Sequence, residues 1–333
     1  MILVIGATGY IGRYFCTEMV ERGVEVLALG RSKVVENFFR ENNVPFQYFD
    51  LTDDNSFENL PKDNIEAIID LSACLAELET PLENFFKINT VGVAKVLEYA
   101  RLNNIKKVII GSSHKVYNDV NKEIISEEDN ISFTGDHSPY IISKIAAENF
   151  VTYYNKDFNM NAIVLRFTGV HGYGEILGHL NADGSYTKST FEIFFEKALK
   201  GEDIEVWGNQ SIKRDHIYVK DVVEALLAAV KSNEKKGIFN IASGVGYSQY
   251  DEAVALAKVF NPIDKKSNII CKAEIPGLQR GYIYDISKAK KILNWEPRYT
   301  NLEEMFSDYK KEWESKKYHN YHYIKEGERP ASL

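Results

Sequence analysis

Short apolar runs separated by segments of helical period set the rhythm of the first half of this chain. The runs fall at Ile2–Ile5, Val24–Leu29, Phe46–Phe49, Ala67–Leu71, Lys107–Gly111 and Ala162–Leu165. Helical patterns fill the gaps, from Tyr10 to Glu21 and then near 33–41, 53–60, 83–103 and 139–156. A strand buried on both faces shows no polar alternation, so apolar runs between amphipathic helices predict a parallel sheet covered on both sides. That is an α/β, doubly wound fold, and its ligands belong beyond the carboxyl ends of the strands. After Arg166 the rhythm breaks. Polar, glycine-rich sequence (Gly169–Ser185) leads to a helical pattern at 189–200 and then to short mixed elements.

The first strand runs directly into Gly6, Gly9 and Gly12, with Thr8, Tyr10 and Ile11 between and a helix after. The first glycine allows a sharp turn off the strand, the second a close approach of backbone to a pyrophosphate, and the third tight packing of helix on sheet. The phosphates then meet a helix N-terminus, whose free N–H groups favour negative charge. We therefore expect a dinucleotide-binding Rossmann domain at 1–168. Segments near 215–245 (Val219–Lys231 and Ile238–Ile241) are expected to return to it. The remainder, 169–333, is expected to be mainly a smaller, discontinuous α/β substrate lobe.

Composition narrows the partners. The 333 residues carry a net charge of −8, which argues against a nucleic-acid partner. No stretch is long and apolar enough to span a bilayer and no signal peptide precedes the first strand, so a cytoplasmic protein is expected. Cys16, Cys74 and Cys271 lack metal or redox spacing and read as reduced thiols. The seven histidines form no zinc pattern, His319 and His322 lying in a polar tail, so no metal is expected.

Candidate chemistry lies at Tyr140-Ile-Ile-Ser-Lys144, which puts a phenol and an ammonium on one helix face. A cation near the phenol favours phenolate, so Tyr140 is expected to titrate below its usual value near 10 and to exchange protons with a substrate hydroxyl. Ser112 and Ser113 follow the strand Lys107–Gly111, so a hydroxyl there should face the same cleft and hold the reacting oxygen.

With these residues the chain resembles the extended short-chain dehydrogenases/reductases of the nucleotide-sugar epimerase/dehydratase family, over nearly its whole length. Asp50-Leu51 resembles the family's adenine-contacting pair, Leu71-Ser72-Ala73 its cofactor-lining segment and Asn89 the start of its central helix. Ser113, Tyr140 and Lys144 match its catalytic set. Arg214-Asp-His-Ile-Tyr-Val-Lys-Asp221 resembles its Arg-Asp-Phe-Ile-Tyr-Val-x-Asp motif, whose arginine binds a substrate phosphate, and Asp285–Pro297 resembles its C-terminal signature.

The chain also departs from the pattern. His114 and Lys115 stand where sugar dehydratases carry an Asp-Glu pair, which disfavours a 4,6-dehydratase. The family's Arg-x-x-Asn-Val-Tyr-Gly appears as Arg166-Phe-Thr-Gly169-Val-His171-Gly172, and Arg-Pro-Gly-Asp as Ile275-Pro-Gly277-Leu278. Arg214 and Arg280 remain for a diphosphate, while His114, His171 and His179 are candidates at the sugar.

For the cofactor, the second strand ends at Gly30-Arg31-Ser32-Lys33 without the acid that takes a ribose 2′-OH. Arg31 and Ser32 offer donors to a 2′-phosphate, which favours NADP over NAD. The resemblance implies a 4-epimerase or 4-ketoreductase acting on a nucleotide sugar, and a homodimer built on segments 83–103 and 139–156. A reductase of the same fold acting on a carbonyl substrate without a nucleotide is the alternative. A cofactor-sensing protein without chemistry ranks last, because Tyr140 and Lys144 are both present.

Overall fold

Seven parallel strands arise from the apolar runs and one later segment: β1 (Ile2–Ile5), β2 (Val26–Gly30), β3 (Phe46–Tyr48), β4 (Ala67–Asp70), β5 (Lys107–Ser113), β6 (Asn161–Phe167) and β9 (Gly237–Ile241). Between the last two lie β7 (Gly169–His171) and β8 (Arg214–Tyr218), which pair with each other outside the main sheet. The order across the sheet is β9-β6-β5-β4-β1-β2-β3. The computed structural model describes residues 1–75, 80–132, 137–174, 178–180, 186–233 and 236–318. The protein is thus the doubly wound Rossmann fold that the apolar rhythm implies.

Strand pleating divides the interior in two. Ile2 and Val4 face one core with Phe15 and Met19 of helix α1 (Tyr10–Glu21). Leu3 and Ile5 face the other, with Val96 and Leu97 of the helix Val93–Leu102. Every residue of β1 is therefore buried, which is why no alternation shows in the sequence. Burying side chains of this size contributes roughly 1.5–3 kcal/mol each.

Strand order reverses between β1 and β4, which opens a crevice at their carboxyl ends. Helix α4 (Pro139–Asp157) flanks that crevice; helix α2 is Lys33–Glu41 and α3 is Val93–Leu102. α4 starts where Ser138 caps the amide of Ile141 and Pro139 occupies the first turn. The span 83–103, read from its period as one helix, is interrupted: a π-helical turn, Lys87–Gly92, separates Leu82–Phe86 from α3. Among the described residues no helix is long and apolar enough to cross a membrane.

Candidate active site

The turn after β1 is shaped to admit no side chain. Gly6 has φ +75°, and a Cβ there would lie 2.6 Å from the Ser72 amide nitrogen; at Gly12 it would lie 2.6 Å from Ala7 Cα. Neither backbone neighbour can yield, so both positions require glycine. Helix α1 begins at Gly9 with no side-chain cap and no acid in its first turn. Its first N–H groups therefore stay available to an anion, a fit to the pyrophosphate of a dinucleotide. A cavity of about 1020 Å³ opens over this turn.

The cavity gathers most of the residues singled out from the sequence. Gly6, Thr8, Gly9, Tyr10, Ile11 and Gly12 line one end, with Arg31 and Ser32 beyond β2. Asp50, Leu51, Leu71, Ser72 and Ala73 line the floor, and Ser112, Ser113, Tyr140 and Lys144 the far wall. Asp50 accepts from Thr52 N at 2.9 Å and Thr52 Oγ1 at 2.7 Å. Burial would raise its pKa, but those bonds and the charges of Arg31 and Lys95 hold it below the ordinary carboxylate value. Arg31 Nη1 stands 3.9 Å from Asp50 Oδ2, with most of its side chain exposed. Ser32 begins α2 with its hydroxyl not spent on a cap.

At the catalytic wall, β5 runs two residues past its apolar part because Ser112 and Ser113 pair with Arg166 and Phe167 of β6. Both hydroxyls thereby reach the carboxyl edge of the sheet. Ser113 is hydrogen-bonded with the Tyr140 phenol, and its Oγ accepts from Lys115 N at 3.2 Å. Lys144, one turn on from Tyr140, is buried and donates from Nζ to the Gly111 carbonyl at 2.9 Å. The acidified phenol expected from the sequence is not what this arrangement gives. Burial raises the Tyr140 pKa, the Ser113 bond only partly opposes it, and Lys144 takes no part. Lys144 is committed to the Gly111 carbonyl, and burial lowers its own pKa. In this state Tyr140 is a neutral phenol.

A polar network missed by sequence reasoning backs the wall. Arg166 makes a two-pronged pair with Glu148 (Nε–Oε1 3.0 Å, Nη2–Oε2 2.5 Å) and donates to Tyr117 Oη at 2.6 Å. Ser112 Oγ donates to Glu148 Oε1 at 2.6 Å, and Tyr117 Oη to Asn240 Oδ1 at 2.8 Å. The glutamate carries a signal visible only in hindsight: it sits four residues after Lys144, on the same helix face.

The other predicted residues stand off the cavity. Asn89 is fully buried, accepting from Cys74 N at 2.7 Å and donating to Cys74 O at 3.1 Å and to Ser143 Oγ at 2.9 Å. It ties the segment after β4 to α4. His114 Nδ1 meets Tyr284 Oη at 2.8 Å, and burial, aided by Lys115 and nearby cations, pushes its pKa down to about 3. Arg214 donates from Nε to Arg280 O at 3.1 Å and lies over the Tyr282 ring. Arg280 donates to the carbonyls of Tyr117 (3.2 Å), Asn118 and Val120. His171 instead joins His216 and Glu252 in a buried cluster whose ligand atoms lie within 4.8 Å of one another. The side chain of His179, and residues 319–333 with His319 and His322, lie outside the described residues. Among the described residues Cys16, Cys74 and Cys271 form no disulfide.

Comparison with known proteins agrees with this fold. A family model described as the NAD dependent epimerase/dehydratase family matches residues 2–242. The chain is 27% identical over 320 residues to dTDP-4-dehydro-6-deoxyglucose reductase of Escherichia coli, covering 89% of this chain and 92% of that protein. It is 26% identical over 323 residues to UDP-glucose 4-epimerase of Halalkalibacterium halodurans, covering 91% and 92%. Its structure is similar to that of UDP-glucose 4-epimerase with UDP-glucose from Thermotoga maritima, with a TM-score of 0.74, 26% identity and coverage of 95% and 99%. A glycine cradle lies at the switch point of a doubly wound sheet, faced by serine, tyrosine and lysine, and the family model spans most of the chain: the chain belongs to the NAD dependent epimerase/dehydratase family.

Proposed function

We propose that this protein interconverts a hydroxyl and a keto group at C4 of a nucleotide sugar, as a 4-epimerase or 4-ketoreductase. The observation that carries the reading is that Ser113, Tyr140 and Lys144 share one cavity with the glycine cradle. A nicotinamide bound there supplies or accepts the hydride. Tyr140 holds the proton given to the carbonyl oxygen during reduction, and recovers it during alcohol oxidation. Ser113 orients that oxygen through its own hydroxyl. Lys144 fixes the wall of the site through Gly111.

His114 and Lys115 offer no carboxylate beside Ser113, so loss of water from the sugar has no acid-base pair and a 4,6-dehydratase is disfavoured. NADP is the preferred dinucleotide in this reading. Arg31 and the uncapped start of α2 at Ser32 present donors at the end of β2, which itself carries no acid, and Arg31 stands between this point and the Asp50 carboxylate 3.9 Å away. A homodimer is supported by the apolar groove that Ile142, Phe150 and Tyr153 leave on the outer face of α4.

A second reading rests on Arg280. Its guanidinium is engaged by three backbone carbonyls, and Gly169 replaces a motif asparagine, which suits a carbonyl substrate lacking a diphosphate. Calorimetry with UDP and GDP separates the two readings, since only the first expects binding. Incubation with NADPH and a panel of 4-keto and 4-hydroxy nucleotide sugars, read by NMR, tests the activity itself. Tyr140→Phe is expected to abolish turnover while cofactor affinity stays within about threefold; unchanged turnover refutes the mechanism.

A further inference from the structure

Three residues far apart in the second half of the chain converge on a pair of adjacent strands and a helix. His171 ends β7, His216 lies in the adjacent β8, and Glu252 stands in the first turn of helix α6 (Gln249–Phe260), numbering Val219–Lys231 as α5. Glu252 Oε1 lies 3.5 Å from His171 Nε2 and 3.8 Å from His216 Nε2. The two imidazole centroids are 4.6 Å apart with their planes 51° off parallel. Two ring nitrogens therefore approach one carboxylate oxygen in a pocket where His171 and Glu252 are buried.

The dimensions suit a small cation. Ligands about 2.0–2.2 Å from a tetrahedral ion stand roughly 3.4 Å from one another, close to both measured nitrogen–oxygen separations, and the three ligand atoms, within 4.8 Å of one another, draw closer around a bound ion. Two imidazoles and one carboxylate match zinc or a similar transition metal, whereas magnesium and calcium call for oxygen ligands throughout. Both histidines also replace other residues of the resembled motifs, a tyrosine at 171 and a phenylalanine at 216. The glycine at 169 belongs to the same change. A Cβ there would lie 2.6 Å from His216 Nδ1, so the imidazole fits only because position 169 has no side chain. Arg214 is near enough to act on both His216 and Glu252. Ligand affinity, not net charge, must therefore hold the ion, which again selects a transition metal.

We propose that His171, His216 and Glu252 form a binding site for one divalent transition-metal ion, zinc foremost, that clamps β7, β8 and α6 together. The bland alternative is a carboxylate hydrogen-bonded between two histidines. The two differ in metal content.

The test uses the untagged full chain, stripped with chelator and dialysed against micromolar zinc chloride at pH 7.5. Expected are one zinc per chain by atomic emission and a rise in Tm of at least about 3 °C. Cobalt(II) in place of zinc should give the visible absorption of a four-coordinate site. His216→Phe and Glu252→Gln should each weaken zinc binding more than about tenfold and abolish the rise in Tm. A His319→Ala/His322→Ala variant should bind as the parent does. The proposal falls if the parent binds no zinc, if binding survives His216→Phe, or if the tail variant loses it. Should the cluster variants fail to fold, anomalous diffraction at the zinc edge from parent crystals decides it: a peak between the three side chains supports the site, and a peak elsewhere or none overturns it.

Discussion

At the scale of single residues, burial decides more than spacing does. Tyr140 and Lys144 were legible at once, because four residues along a helix place two side chains on one face. The protonation of Tyr140 was not, since it depends on how much water the fold removes and on the Gly111 carbonyl that occupies Lys144. His114 shows the same physics in a testable form. Its folded pKa, about 3, lies below the ordinary value of 6.5, so the unfolded chain takes up the proton first. Its contribution to stability is present above pH 6.5 and is lost as pH falls toward 3. Between pH 6.5 and 5 the loss is roughly 1.5 kcal/mol. His114→Gln keeps a partner for Tyr284 and should flatten the fall in urea-unfolding stability over that interval; an identical slope in both proteins refutes it. Arg31 carries the cofactor preference. Arg31→Ala should raise KM for NADPH about tenfold and leave KM for NADH within about twofold, as steady-state kinetics with both coenzymes would read.

At the scale of elements, strands and helices of the first half followed from hydrophobic period, and the glycine turn from three residues. The π-helical turn at Lys87–Gly92 did not, because its cause is not local. Asn89 is drawn into bonds with Cys74 and Ser143, on two other segments, and a period read along one helix holds no record of them. π-turns of this kind gather at functional sites, and this one braces the loop that follows β4. Asn89→Ala removes the side chain that bonds the half-buried Cys74 amide and carbonyl and the buried Ser143 hydroxyl. It should cost about 2–3 kcal/mol in urea unfolding and raise KM for the dinucleotide, since Ala73, beside Cys74, lines the cavity. The network of Glu148, Arg166 and Tyr117 was hidden for the same reason: its members meet only once β5, β6 and α4 are assembled.

At the scale of the whole molecule, the apolar strip on α4 is the feature that looks outward. Ile142, Phe150 and Tyr153 are all exposed there, and a second copy covering them would remove the patch from water. Phe150→Asp should shift the protein from dimer to monomer in light scattering coupled to gel filtration; a parent that is already monomeric, or a variant that stays dimeric, refutes the dimer. The main sheet has its own long reach, because its outermost strand on one side, β9, comes from Gly237–Ile241 and pairs with β6 along Ile163–Phe167. During synthesis on the ribosome, some seventy residues must therefore emerge after β6 before its open edge is covered. Until then the nascent chain presents bare backbone N–H and C=O groups to any neighbour able to add a strand, a hazard built into the order in which this protein is made.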